Sequence, residues 1–379
     1  MKKFTKLALV SSIALTTNAM AMQAMDDTAL SATTGQDGLS IGIGISKIEI
    51  EKLLIHDNDG LVSDGAKAAV ADVLDANGNV VTPGTPAVIG SLGGTNKAAA
   101  IVIKGNGISG DANEKHGIVI GANYDNNGAY LLTSRNLADL VIDSDAGTSG
   151  TGGAFINVAA QVSGLDIKIG EIGVSASNAE NTSTTSIRRG NDDTNYNAIL
   201  SGLTLKTGKM NANIQLGAAP QGAMIMLDTT MTGGLTIENL GIVGAKAGAT
   251  VGLNTSTTPA TPINTTTDGQ INIGSIKIAD ANGTNLTVKA KVNVFGKSGL
   301  NNGFLAITTG SGTTYGGTLQ AGDSQDMYIS SVRLGDATDA KSIGDIEIQG
   351  MTTYYNNGAG FAAGNANERA GAKILISGH

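Results

Sequence analysis

The sequence predicts an all-β fold, and three observations carry the prediction. Aliphatic residues alternate with polar ones or glycine over long runs, Asx-Gly turns separate the runs, and four of the five prolines fall between them. The clearest run starts at Leu39. Leu39, Ile41, Ile43 and Ile45 point one way, and Ser40, Gly42 and Gly44 the other. At Ser46-Lys47 the alternation slips by one residue, then Ile48 and Ile50 resume it, followed by Leu53 and Ile55. An extra residue inside a strand is what a β-bulge or a solenoid corner requires.

That slip recurs as apolar-x-apolar-x-x-apolar-x-apolar. It reads IGISKIEI (43–50), IKIGEIGV (167–174), AILSGLTL (198–205), LTIENLGI (235–242), INIGSIKI (271–278) and MYISSVRL (327–334), with a degraded copy in KSIGDIEI (341–348). Irregular spacing rules out a strict short repeat. The pattern predicts one supersecondary unit reused, each copy giving two short strands joined by a kink. Turns are expected at DNDG (57–60), DANG (75–78), YDNNG (124–128), DANG (280–283), LNNG (300–303) and YNNG (355–358), where Asx-Gly supplies positive φ. Polar loops are expected near 61–97, 176–197 and 244–270, the first holding Pro83 and Pro86 and the last Pro259 and Pro262.

The expected architecture is an elongated β-solenoid-like or stacked-sheet structure with a short N-terminal helix, and a pair of β-sandwiches is the alternative. A transmembrane barrel fits poorly, because five Phe, seven Tyr and no Trp cannot furnish aromatic girdles.

Residues 1–21, MKKFTKLALVSSIALTTNAMA, read as a signal peptide. Lys2, Lys3 and Lys6 form its charged region, Leu7 to Leu15 a short apolar core, and Ala19-Met20-Ala21 a small-x-small site placing cleavage between Ala21 and Met22. No transmembrane segment is expected after its removal. The leader takes three of the 24 basic residues, leaving 21 against 32 acidic ones, a formal charge of about −11. Such a balance argues against nucleic acid or anionic lipid as partner. Cysteine is absent, so an exported chain must be held by burial and backbone hydrogen bonds. Residues 22–38 are expected to form a short helix, capped by Asp26 and stopped at Gly35, and then a GQDG turn. Residues 39–379 form the β-rich domain.

Candidate chemistry is sparse. His56, His116 and His379 have no zinc-site spacing, and no H-E-x-x-H or G-x-S-x-G is present. GNGISG (105–110) matches G-x-G-x-x-G after an apolar run, but DANEKHG follows where a helix is needed, so a glycine-rich turn is expected. Asp57, Asp59 and Asp64 are the calcium candidates, although their spacing is not that of an EF-hand and solvated turns are the simpler reading. No feature selects a carboxylate pair for glycoside hydrolysis. The Thr runs at 182–186 and 265–267 read as loop composition. No catalytic residue, metal or other cofactor is assigned.

The block holding Asp27, Leu30, Ser31, Thr34, Gly35, Gln36, Asp37 and Gly38, followed by an isoleucine/glycine strand, resembles the N-terminal signature of the FilA family of exported bacterial pilus-system proteins. The resemblance is strong over about the first sixty residues and looser beyond. It implies a non-catalytic structural or adhesive component of a pilus or fimbria, at the cell surface or in the periplasm of a Gram-negative bacterium. A periplasmic pilus assembly factor is the second reading and a β-helical polysaccharide-acting enzyme a distant third. Implied partners are other pilus-system proteins, or further copies through strand edges. Gly35 and Gly38 are expected to hold positive φ.

Overall fold

The computed structural model describes residues 38–61, 69–74, 80–85, 94–244, 253–254, 261–262, 269–296, 303–335, 341–356 and 367–377. The signal peptide, the cleavage site at Ala21 and Met22, and the short helix lie outside the described residues. So do Asp27, Leu30, Ser31, Thr34, Gly35, Gln36, Asp37 and Asp64.

In chain order the first strands are β1 (Leu39–Ile43), β2 (Lys47–Ile50), β3 (Lys52–Asp57), β4 (Val73–Leu74), β5 (Val80–Thr82), β6 (Ala99–Lys104) and β7 (Ile118–Ala122). Next come β8 (Ala138–Asp145), β9 (Phe155–Val162), β10 (Leu165–Ile169), β11 (Glu171–Ser177), β12 (Asn191–Lys206), β13 (Met210–Gly217), β14 (Ile225–Met231) and β15 (Leu235–Val243). The remainder are β16 (Leu253–Asn254), β17 (Thr261–Pro262), β18 (Gln270–Asp280), β19 (Leu286–Phe295), β20 (Phe304–Thr309) and β21 (Ser324–Leu334). The chain closes with β22 (Ser342–Thr352), β23 (Tyr354–Asn356), β24 (Glu368–Ala370) and β25 (Lys373–Ser377).

β4–β5, β16–β17 and β23–β24 form three two-stranded sheets, and the other nineteen strands build two extended antiparallel ones. One holds eight strands in the order β1-β8-β9-β13-β14-β19-β20-β25. The other follows β2-β7-β10-β12-β15-β18-β21-β22, with β11, β6 and β3 continuing it beside β12. The chain visits the sheets alternately, usually adding a pair of strands to one before crossing to the other. Because neighbours are antiparallel throughout, every crossover falls at the same end of the strands. The two sheets are thus joined along one spine. The fold is all-β and extended, without a closed barrel.

Register explains why the sequence alternates. In the second sheet Ile48, Ile120, Ile167, Leu205, Ile237, Ile276, Ile329 and Ile346 are successive cross-strand partners, one aliphatic row over eight strands. On the opposite face the adjacent row runs Lys47, Gly121, Asp166, Lys206, Thr236, Lys277, Tyr328 and Glu347. The first sheet repeats the arrangement with Leu39, Ile142, Val158, Ile214, Ile225, Val292, Ile307 and Ile374. Each cross-strand aliphatic pair contributes roughly 0.2–1 kcal/mol, so the rows work by number.

In the first sheet burial falls with distance from the spine, whereas in the second Ala100 and Val102 on β6, far from the spine, are 1% and 0% exposed. On the aliphatic face of the first sheet Met231 and Leu286, beside crossovers, are 5% and 8% exposed, whereas Leu216 and Val294 at the far ends reach 50% and 59%. No residue of either row belongs to the buried core, and most are half-buried.

Polar side chains fasten the spine. Asn123 Nδ2 donates to Thr207 O (3.1 Å), and the Thr207 hydroxyl accepts from Leu165 N (2.9 Å). Fully buried Ser163 accepts from Leu132 N at 3.0 Å and donates to Asn136 O at 2.7 Å. Asp280 takes both the amide and the hydroxyl of Thr287, at 2.9 and 2.7 Å. Here the DANG sequence at 280–283 makes a crossover between sheets rather than a hairpin, with Asn282 at φ 61°.

The recurrent slip has three structural outcomes. In IKIGEIGV it separates β10 from β11, two short strands that both pair with β12. In IGISKIEI it is a crossover, since β1 and β2 lie in different sheets. In β12, β15, β18, β21 and β22 it is a kink inside one long strand. Gly202, Asn239, Ser331 and Gly344 sit there at φ 128°, 57°, 57° and 142°. Three neighbouring strands, β15, β18 and β21, carry the kink side by side and keep matched register. Ile237 pairs with Ile276 and Leu240 with Ile273, then Ile276 with Ile329 and Ile273 with Val332. Residue counts mismatch at the flanking β12–β15 and β21–β22 pairs, as β-bulges do.

One expected loop is corrected. Asn191 to Asn197, placed within the 176–197 loop, belongs to β12, where Asn191 pairs with Ser177, Asp192 with Ala176 and Asn197 with Val174. The ladder overrides the poor strand propensity of Asn and Asp.

Candidate interaction surface

Among the described residues, the strands at the sheet ends are paired on one side only. Each main sheet ends flush with the other: β1 and β2–β3 lie at one end, β25 and β22 at the other. β22 is eleven residues long and contains no proline, and its first six residues, SIGDIE, are all exposed. Ile343 and Ile346 are 68% and 49% exposed on it. Ile374 and Ile376 stand exposed on β25, as do Leu39 and Ile41 on β1 and Leu53 and Ile55 on β3. Long apolar edges of this kind are templates for pairing with another strand.

Several charged side chains are paired with one another. Lys206 Nζ bridges Asp125 (3.0 Å) and Glu238 (3.3 Å), and Lys104 Nζ lies 3.6 Å from Glu171 and 3.6 Å from the centre of the Tyr196 ring. Burial, and then the Glu171 carboxylate, push the Tyr196 phenol well above its ordinary range. On the edges, Lys47 pairs with Glu49 at 2.6 Å, and the Glu347 carboxylate accepts from Gln349 Nε2 at 2.7 Å. Asp345 accepts from Tyr328 Oη and Ser331 N, both at 2.8 Å. The Ser331 amide, followed by the Tyr328 hydroxyl, holds that carboxyl below the usual carboxylate range.

Of the calcium candidates, Asp57 and Asp59 are described and Asp64 lies outside the described residues. Asp57 ends β3 and its Oδ1 accepts from the amides of Asp59 and Gly60, each at 3.4 Å, closing a local turn. Among the described residues no group of three or more His, Asp or Glu is placed to hold a metal. His56 Nδ1 lies 2.7 Å from Ser177 Oγ, and His116 faces Glu49 at 3.9 Å; His379 lies outside the described residues. GNGISG forms a loop between β6 and β7 with Gly107 and Gly110 at positive φ and no helix after it. Of the FilA-like block only Gly38 is described. Its φ is 98°, and a Cβ there would meet Ile142 O at 2.7 Å and come closer still to the Asp143 carboxylate. Sequence reasoning missed the flush alignment of the edges and the shared row of Lys47 and Glu347, which only register reveals.

Among the described residues no helix is long and apolar enough to cross a membrane. Residues 1–126 match a family of unknown function (DUF6160). The match spans residues 1–21, the Asp27–Gly38 block and strands β1 to β7, and its description carries no activity. No curated protein and no solved structure matches the chain.

Proposed function

We propose that this chain is an exported, non-catalytic component of a bacterial pilus or fimbrial system, with a structural or adhesive role at the cell surface. The observation that supports this reading most is the pair of flush sheet ends, each presenting apolar strands that, among the described residues, are paired on one side only. Recognition through such edges uses backbone hydrogen bonds for affinity and alternate side chains for specificity. The alternating route of the chain is solenoid-like in this sense: each passage lengthens a sheet by about one strand pair without enlarging a globular core. The N-terminal leader sequence and the FilA-like block support export into such a system.

Immunogold electron microscopy of intact cells, with an antibody to residues 39–379 and a deletion strain as control, tests the proposal. Gold along filaments that disappear in the deletion strain is expected. Label confined to the periplasm, with filaments reduced but unlabelled, would instead assign an assembly factor. Unchanged filaments in the deletion strain would overturn the pilus reading.

A further inference from the structure

We infer that the partner of each sheet end is the opposite end of a second copy of this chain, stacked head to tail so that both sheets continue. The inference rests on the surface role proposed above and deepens it by naming the partner. Strand polarity comes first. β25 runs away from the spine and β1 towards it, while β22 runs towards the spine and β2–β3 away. A copy added end to end therefore meets antiparallel neighbours in both sheets at once, and no strand must reverse.

Equal length comes second. Each sheet advances through eight strand positions between its ends. One translation of about 38 Å, eight spacings of about 4.8 Å, then serves both sheets.

Side chains come third. Continuing the observed rows puts Ile346 of one copy beside Ile48 of the next, and Ile374 beside Leu39. On the polar face the same continuation puts Glu347 beside Lys47. Asp345 falls next to the row of Glu49, so Lys47 sits among three carboxylates and supplies the positive charge the junction needs. A head-to-head contact would pair β2 with β2 or β22 with β22. Antiparallel pairing of like strands puts the two spines on opposite sides, so only one of the two sheets could continue. Heterologous contacts that do not close produce filaments.

The absence of native cysteine makes the test direct. Two double variants of the full chain are made, Lys47→Cys with Glu347→Cys for one sheet, and Ser40→Cys with Lys373→Cys for the other. Directly opposed residues on neighbouring strands lie within disulfide reach. Mild oxidation is expected to convert each double variant into a ladder of dimers, trimers and larger species on a non-reducing gel, while Lys47→Cys alone stays monomeric. Melting of each variant under reducing conditions reports folding, and the two pairs test separate sheets. Dimers from Lys47→Cys alone, or no ladder from either folded double variant, would overturn head-to-tail stacking. A chain that fails to ladder yet labels filaments refutes the stacking and spares the surface role; a chain that ladders while deletion leaves filaments intact does the reverse.

Discussion

Asp323 shows how much a single polar residue carries where the chain crosses between sheets. It is 2% exposed and its carboxylate accepts from Ser311 N (2.8 Å), Ser311 Oγ (2.6 Å) and Gln320 N (2.8 Å). Burial opposes its charge, yet these hydrogen bonds outweigh burial and hold the carboxyl below its ordinary range. Because the folded pKa lies below the unfolded value of about 3.9, the stabilisation is present above that pH and is lost as pH falls through the folded pKa. Asp323→Ala should cost about 2–3 kcal/mol, since it leaves buried donors unmet. It should also remove part of the acid sensitivity of the wild-type chain. Urea titrations of both proteins at pH 7 and pH 3 check both effects; an equal pH dependence would contradict the assignment. Ser331 offers a second residue-scale test, because a serine at φ 57° is strained by about 1–2 kcal/mol. Ser331→Gly should leave the melting temperature equal or higher, and Ser331→Val should lower it. A more stable valine variant would mean the kink does not need a left-handed residue.

At the scale of elements, the sequence pattern and the structure agree wherever one face of a strand is aliphatic. The slip motif marked β12, β15, β18, β21 and β22 correctly because the kink requires two residues between apolar neighbours, and that spacing is visible in the chain. It did not distinguish a kink from a crossover. IGISKIEI and LTIENLGI look alike, yet the first leaves its sheet and the second stays. What separates them is whether the neighbouring strand continues alongside, a long-range fact. The polar start of β12, NDDTNYN, was illegible for a related reason: its strand form is imposed by pairing with β11. Of the candidate surface, the aliphatic strands were readable, but which of them would be edges was not. The edge itself can be tested. Ile346→Lys on β22 places a charge where an edge strand is commonly protected from pairing. With 49% exposure the residue contributes little to folding, so the variant should melt within about 1 kcal/mol of wild type. It should abolish concentration-dependent association, read by sedimentation velocity; undiminished association would place the contact elsewhere.

For the whole molecule, two thin sheets joined along a spine leave most aliphatic rows half-buried and, among the described residues, both sheet ends paired on one side only. Stacking copies would extend the ladders without altering either sheet, and the acidic excess of the chain keeps unrelated lateral contacts weak. The association should tolerate salt, because backbone pairing and aliphatic rows contribute more than the Lys47–Glu347 pair, although raised salt should weaken its specificity. The most direct measurement is hydrogen exchange of residues 47–57 and 342–352 across a hundredfold range of protein concentration, followed by mass spectrometry. Strand-edge association predicts that both segments exchange quickly in dilute solution and become protected together on concentration, while β13 and β14 stay unchanged. Exchange that is independent of concentration in both segments would contradict it.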